Sequence, residues 1–170
     1  LRSPELAKML IERGADPVEN CPEKNAVENH RSLHLAALSG RVDLIELLLG
    51  YGARLNSSVR PGPNLLWSAA LGDRLEVVRW VNNRDPTLIQ AKDDSNLGYF
   101  YGVIKFGATK IAKWMVESGL ANPRHAFNEA YPSALHLAAQ YGAYEICKWL
   151  CKKYMISRTP SNDSDRMTPA

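Results

Sequence analysis

Among the four histidines and three cysteines of this sequence, the ones whose setting could suit a ligand, base or nucleophile are His34, His136, Cys21, Cys147 and Cys151. A catalytic histidine needs an oriented partner to hold its tautomer and pass its proton, and no such partner stands at a recognisable spacing from either one. Cys147 and Cys151 lie four apart at helical spacing, in the same repeating unit as His136, which would set two thiols on one face for a metal ion. No Cys-x-x-Cys pair or second ligand cluster accompanies them, so small apolar core residues are the favoured reading. A disulfide across that spacing is strained, and three cysteines are an odd, sparse set. The chain is therefore expected in a reducing compartment, cytoplasmic or nuclear. No phosphate-binding loop, zinc-protease helix or nucleophile elbow occurs. These residues assign no catalytic group, no cofactor and no metal site.

The aromatic and basic groups offer binding chemistry instead. Trp67, Trp80, Trp114 and Trp149 form a set that can stack on bases or sugars, but the last three recur at spacings of 34 and 35, which reports packing periodicity. Lys148, Lys152, Lys153 and Arg158 gather near a helix C-terminus, where the dipole favours cations. Ser157-Arg158-Thr159-Pro160-Ser161 lies in a polar loop, about 155–166, whose residue types suit phosphorylation. A formal net charge of +3 on 170 residues, scattered in sequence, is weak for nucleic-acid binding. No apolar run approaches the roughly 20 residues of a membrane span, and residues 1–9 lack the apolar centre of a signal peptide.

The elements that must position these groups emerge from internal repetition. Ser32-Leu33-His34-Leu35-Ala36-Ala37-Leu38-Ser39-Gly40 returns as Ala134-Leu135-His136-Leu137-Ala138-Ala139-Gln140-Tyr141-Gly142, 102 residues later. Weaker copies begin at Leu65 and Tyr99, so the small-residue pairs or their equivalents start at 36, 69, 103 and 138. An amphipathic second stretch follows each, carrying Leu44-Ile45, Val77-Val78, Ile111-Ala112 and Ile146-Cys147. Each unit is thus two helices joined by a tight turn, with small residues allowing close helix approach. Gly14, Gly52 and Gly119 end second helices, where a left-handed residue is common. Asp85 and Tyr154 fill the matching places and predict altered helix ends. Gly98 and Gly102 in the fourth unit predict the weakest repeat, since a glycine within a helix costs about 0.5–1 kcal/mol relative to alanine.

This pattern resembles the ankyrin repeat: Thr-Pro-Leu-His-x-Ala-Ala, a glycine turn, a second helix, then Gly-Ala-Asp and a hairpin loop. The resemblance covers nearly the whole sequence, from the second half of a unit at residues 6–16 to Thr168-Pro169-Ala170. It implies an all-α solenoid of stacked helix–turn–helix units joined by β-hairpin-like loops. Taken as one domain of residues 1–170, it divides into a partial repeat at 1–20, repeats at about 29–57, 62–91, 96–125 and 131–158, and the start of another at 166–170. Both ends break within a unit and neither carries a polar cap, so the sequence is expected to be cut from a longer protein. In the family, the motif histidine bonds loop backbone, which gives His34 and His136 a structural role. Trp67 replaces that histidine and has a donor but no acceptor, so the bonding there must change.

The resemblance also implies a function: holding a protein or peptide partner as a monomer, with no enzymatic activity, nucleic-acid binding or membrane insertion. Family contacts fall on hairpin tips and the exposed ends of first helices. The tips are His30, Arg60, Asp94, Ser95, Leu97 and Glu129; the helix ends are Leu38, Ser39, Leu71, Lys105, Phe106, Gln140 and Tyr141. Phe106 and Tyr141 lead, with Leu38 and Leu71 behind them, since large apolar groups in a solvent-facing row can anchor a partner. The alternatives are that these groups merely cover neighbouring units, or that the repeats regulate or target an enzyme or channel whose working domain lies outside the sequence.

Overall fold

In the computed structural model, the described residues are 4–15, 31–53, 55, 65–90, 98–124 and 133–154. Ten helices occur among them. Helix α1 is Pro4–Glu12. Four two-helix units follow: α2 (Arg31–Ser39) with α3 (Val42–Gly50), α4 (Leu65–Leu71) with α5 (Leu75–Arg84), α7 (Tyr99–Lys105) with α8 (Thr109–Glu117), and α9 (Ala134–Gln140) with α10 (Tyr144–Tyr154). The short α6 (Thr87–Gln90) follows α5. First helices pack in the series α2, α4, α7, α9, and second helices in the series α1, α3, α5, α8, α10, giving two layers.

The core lies between these layers and between successive units. First helices contribute small residues, with Ala37, Ala69, Ala134 and Ala138 wholly buried, whereas second helices contribute larger ones such as Ile45, Val77, Val78, Ile111 and Ile146. Full burial of a side chain of this larger size stabilises by about 1.5–3 kcal/mol, and a single unit has no partner surface to provide it. No polar or charged residue is buried among the described residues, so the stack is held by packing and by bonds at helix ends.

Those ends account for the glycine pattern. Within each unit the turn passes through a left-handed residue: Gly40 at φ 78°, Asp73 at φ 48°, Gly107 at φ 69° and Gly142 at φ 67°. Gly14, Gly52 and Gly119 close α1, α3 and α8 in the same region, as the sequence predicts. At the two positions lacking glycine the chain does something else. Asp85 is extended, with φ −151°, and leads through Pro86 into α6. Tyr154, for which left-handed backbone is costly, is itself helical, in α10.

Asp73 belongs to a turn that joins three units. Its carboxylate accepts from the backbone N–H of Lys110 at 3.1 Å and of Ile111 at 3.2 Å, capping α8 of the following unit. The local N-cap residue, Ala108, has no side chain able to do this. Arg74 Nε donates to the Leu38 carbonyl at 2.9 Å, satisfying the end of α2 in the preceding unit. Between α4 and Asp73 sits Gly72, where a Cβ would stand 2.5 Å from the Leu38 oxygen, so only glycine lets the backbones meet.

Candidate partner-binding surface

The first-helix ends follow from the repeat register. Leu38, Leu71, Lys105 and Gln140 occupy one position in successive units; Ser39, Gly72, Phe106 and Tyr141 occupy the next. Both fall at the C-terminal ends of α2, α4, α7 and α9, where the chain turns toward the second layer. Ser39, Leu71, Lys105, Phe106, Gln140 and Tyr141 are exposed, and Leu38 is half-buried. Leu71 retains 60% of its surface, Phe106 37% and Tyr141 39%. Arg60, Asp94, Ser95, Leu97 and Glu129, with His30, lie outside the described residues.

Four aromatic rings connect this row. Phe106 meets Trp67 edge-on, with centroids 5.5 Å apart and planes at 84°, an arrangement that sets a ring edge against a ring face. On the other side of α7, the Tyr101 hydroxyl lies 3.2 Å from that of Tyr141. Lys105 Nζ stands 5.5 Å from the Tyr141 centroid, a cation held over a ring at the surface. The result is a partly exposed strip of aromatic carbon across α4, α7 and α9, with an ammonium group in it. Such a strip can bury an apolar side chain of a partner and meet a carboxylate beside it.

The Trp67 substitution reshapes the packing beneath the strip. A Cβ on Gly102 would lie 3.1 Å from the Trp67 ring, so the helical glycine clears space for the indole. Tyr99, almost wholly buried, donates its hydroxyl to the Leu66 carbonyl at 2.9 Å, a bond between units next to the tryptophan. Burial, and secondarily the charge of Asp73, push the Tyr99 hydroxyl well above the ordinary tyrosine range, so it stays a neutral donor. The α7 helix, whose glycines predict the weakest repeat, carries five buried residues, one of them the glycine fitted to its neighbour.

Other chemical candidates take ordinary places. His136 Nδ1 lies 2.8 Å from Ser133 Oγ, at the start of α9. Cys147 is half-buried against the core, and desolvation, with Cys151 second, raises its thiol above the usual range and suppresses the thiolate. Cys151 corrects the core reading: it is exposed on the outer face of α10. Trp80, Trp114 and Trp149 pack half-buried against the core, as their spacing predicts. The loop 155–166 and Cys21 lie outside the described residues. Among the described residues, no helix is long and apolar enough to cross a membrane.

Leu35 is a large exposed apolar residue that the sequence reading passes over, with 55% of its surface open. It occupies the position of Ser68, Gly102 and Leu137, which faces the first helix of the preceding unit. Leu137 is wholly buried there, and Gly102 meets Trp67 there. No described first helix precedes α2, which leaves Leu35 uncovered. Its exposure belongs to the stacking surface rather than to the strip. The slot between the motif histidine and the alanine pair carries that information in the sequence.

The ankyrin repeat family model matches the chain twice, at residues 28–57 and at residues 133–159. No curated protein matches it. The matched segments are the first and last complete units, each with an intact Leu-His-Leu-Ala-Ala run; the units between them carry Trp67 and Gly102 in that run.

Proposed function

We propose that this chain, an ankyrin-repeat protein, holds a protein or peptide partner along the exposed ends of its first helices. Ankyrin repeats are generally protein–protein interaction modules. The observation that carries the reading is the aromatic strip of α4, α7 and α9, where Phe106 and Tyr141 stay exposed in the same position of successive units. Those two rings anchor the partner, Leu71 and Leu38 extend the apolar contact, and Lys105 receives an acidic group. Ser39, Gln140 and the tip residues Arg60, Asp94, Ser95 and Glu129 supply the polar rim, and Leu97 adds apolar contact at its tip. Rigid aromatic side chains suit this because little rotamer entropy is lost when they are covered.

The test is selection of binding peptides from a displayed library on the immobilised chain, followed by affinity measurement with Phe106→Ala and Tyr141→Ala together. Truncating two anchors is expected to cost about 2–4 kcal/mol, or roughly 30- to 1000-fold in affinity. Circular dichroism should show both proteins equally helical. Peptides that bind the doubly substituted protein as tightly as the original would place the contact elsewhere.

A further inference from the structure

We propose that the outer face of the second-helix layer is a separate docking surface for an acidic protein segment, whose carboxylates are received between a basic side chain of one unit and the indole N–H of the next. The protein contains its own template for such a contact. Trp80 Nε1 on α5 donates to Glu46 Oε1 on α3, one unit earlier, at 2.9 Å. A carboxylate therefore sits on the tryptophan edge at the first of these interfaces.

The following two interfaces keep the tryptophan and reverse the charge. Glu46 occupies the same position as Arg79 and Lys113, and Trp80 the same position as Trp114 and Trp149. Repeat translation thus sets Arg79 toward Trp114 and Lys113 toward Trp149, as Glu46 stands toward Trp80. Both residues are then donors. Neither the Trp114 nor the Trp149 indole N–H has an acceptor among the described residues. Neither nitrogen is sealed from solvent, because Asn82 Oδ1 is the sole buried side-chain nitrogen or oxygen without a partner among those residues. An unbonded indole N–H whose register position faces a basic residue of the preceding unit lacks the anionic acceptor that Glu46 provides one interface earlier.

The charge of the surrounding face agrees. Helices α5, α8 and α10 carry seven basic and three acidic residues, whereas α3 carries Asp43 and Glu46 and no basic one. Of the three acidic groups, Glu117 pairs with Lys153 at 3.9 Å, and that ammonium also lies over the Trp149 ring at 5.4 Å. Arg79, Lys113 and Lys148 recur at one position of successive second helices, a row that a protein segment with Asp or Glu at intervals can follow. This surface uses the opposite layer from the aromatic strip, so the proposal stands or falls independently of that reading.

Fluorescence anisotropy of fluorescein-labelled octaglutamate with the full chain at low salt tests it. Binding is expected, weakened about ten-fold by Arg79→Gln with Lys113→Gln and about three-fold by Trp114→Phe with Trp149→Phe, which keeps a ring but removes the N–H. Lys8→Gln with Arg13→Gln on and beside α1, an equal charge change, should alter affinity less than two-fold. Glu46→Lys should strengthen binding by freeing Trp80 and adding a third cation, more than Glu12→Lys does. No octaglutamate binding, or an equal loss with the α1 control, would overturn the proposal. So would phosphatidylserine vesicles or a single-stranded oligonucleotide binding through Arg79 and Lys113 while octaglutamate is ignored.

Discussion

Trp67 and Gly102 show how one departure from a repeat pattern entails another. The tryptophan stands in the motif histidine position on α4 and its ring fills the space in which a Cβ on Gly102 would lie, at 3.1 Å. Gly102→Ala gains about 0.5–1 kcal/mol of helix propensity but overpacks a site where misfit costs about 1–3 kcal/mol. The net expectation is a loss of about 1 kcal/mol in urea-induced unfolding. With Trp67→His in place, the same alanine should become neutral or stabilising, so a double-mutant cycle should give a coupling of about 1 kcal/mol or more. Additive effects would mean that the indole moves aside without cost. The sequence shows both departures, yet their pairing is invisible there, since 35 residues separate them and only the stack brings them together.

At the scale of elements, the two-helix units are legible because the pattern returns four times, with an alanine pair in three of the first helices and a glycine turn in three of the units. Helix ends are less so. Asp73 takes the left-handed place of Gly40, Gly107 and Gly142, and its capping of α8 cannot be read from α8, whose own N-cap is Ala108. The exposure of Cys151 is hidden for a related reason: i, i+4 spacing aligns it with Cys147 on a helix face but does not say how far toward solvent that face turns. At the start of α3, Arg41 gives two bonds to Asp43, Nε at 2.9 Å and a terminal nitrogen at 2.7 Å. This pair holds the Asp43 carboxyl below the usual carboxylate range, with the Leu44 N–H adding to the effect. A depressed folded value means that the contribution is present above about pH 4 and is lost as pH falls through the folded value. Asp43→Asn should therefore lower stability slightly and by a constant amount at neutral pH, and remove a small part of its acid dependence below about pH 4, so that the two profiles converge as pH falls. The pair is substantially exposed, so the effect is small and screened by salt. Thermal unfolding followed from pH 2 to pH 6 measures it; matching profiles for the two proteins would remove this role.

Across the whole molecule, stability is a sum of unit terms and interface terms, and the interfaces decide whether the stack unfolds as one body. Each interface between complete units adds polar contacts to its apolar packing, such as Trp80 to Glu46, Tyr99 to the Leu66 carbonyl and Tyr101 with Tyr141. The turn at Gly72-Asp73-Arg74 differs because it binds backward to the Leu38 carbonyl and forward to the N–H groups of α8. It therefore couples the units of α2–α3, α4–α5 and α7–α8 through polar groups at helix ends, where a lost cap costs about 0.5–2 kcal/mol. Asp73→Gly isolates the capping term, since glycine adopts the left-handed backbone at no steric cost. Arg74→Ala removes the backward bond. Either change alone should shift the unfolding midpoint with little change in slope, whereas the two together should broaden the transition or divide it, because the interfaces weaken more than the units they join. Amide exchange should then rise in α2 and α3 before it rises in α9 and α10, so that opening begins at the side that depends on the turn. A parallel shift with uniform exchange would instead place the cooperativity in apolar contact, and the turn would be one stabilising feature among many.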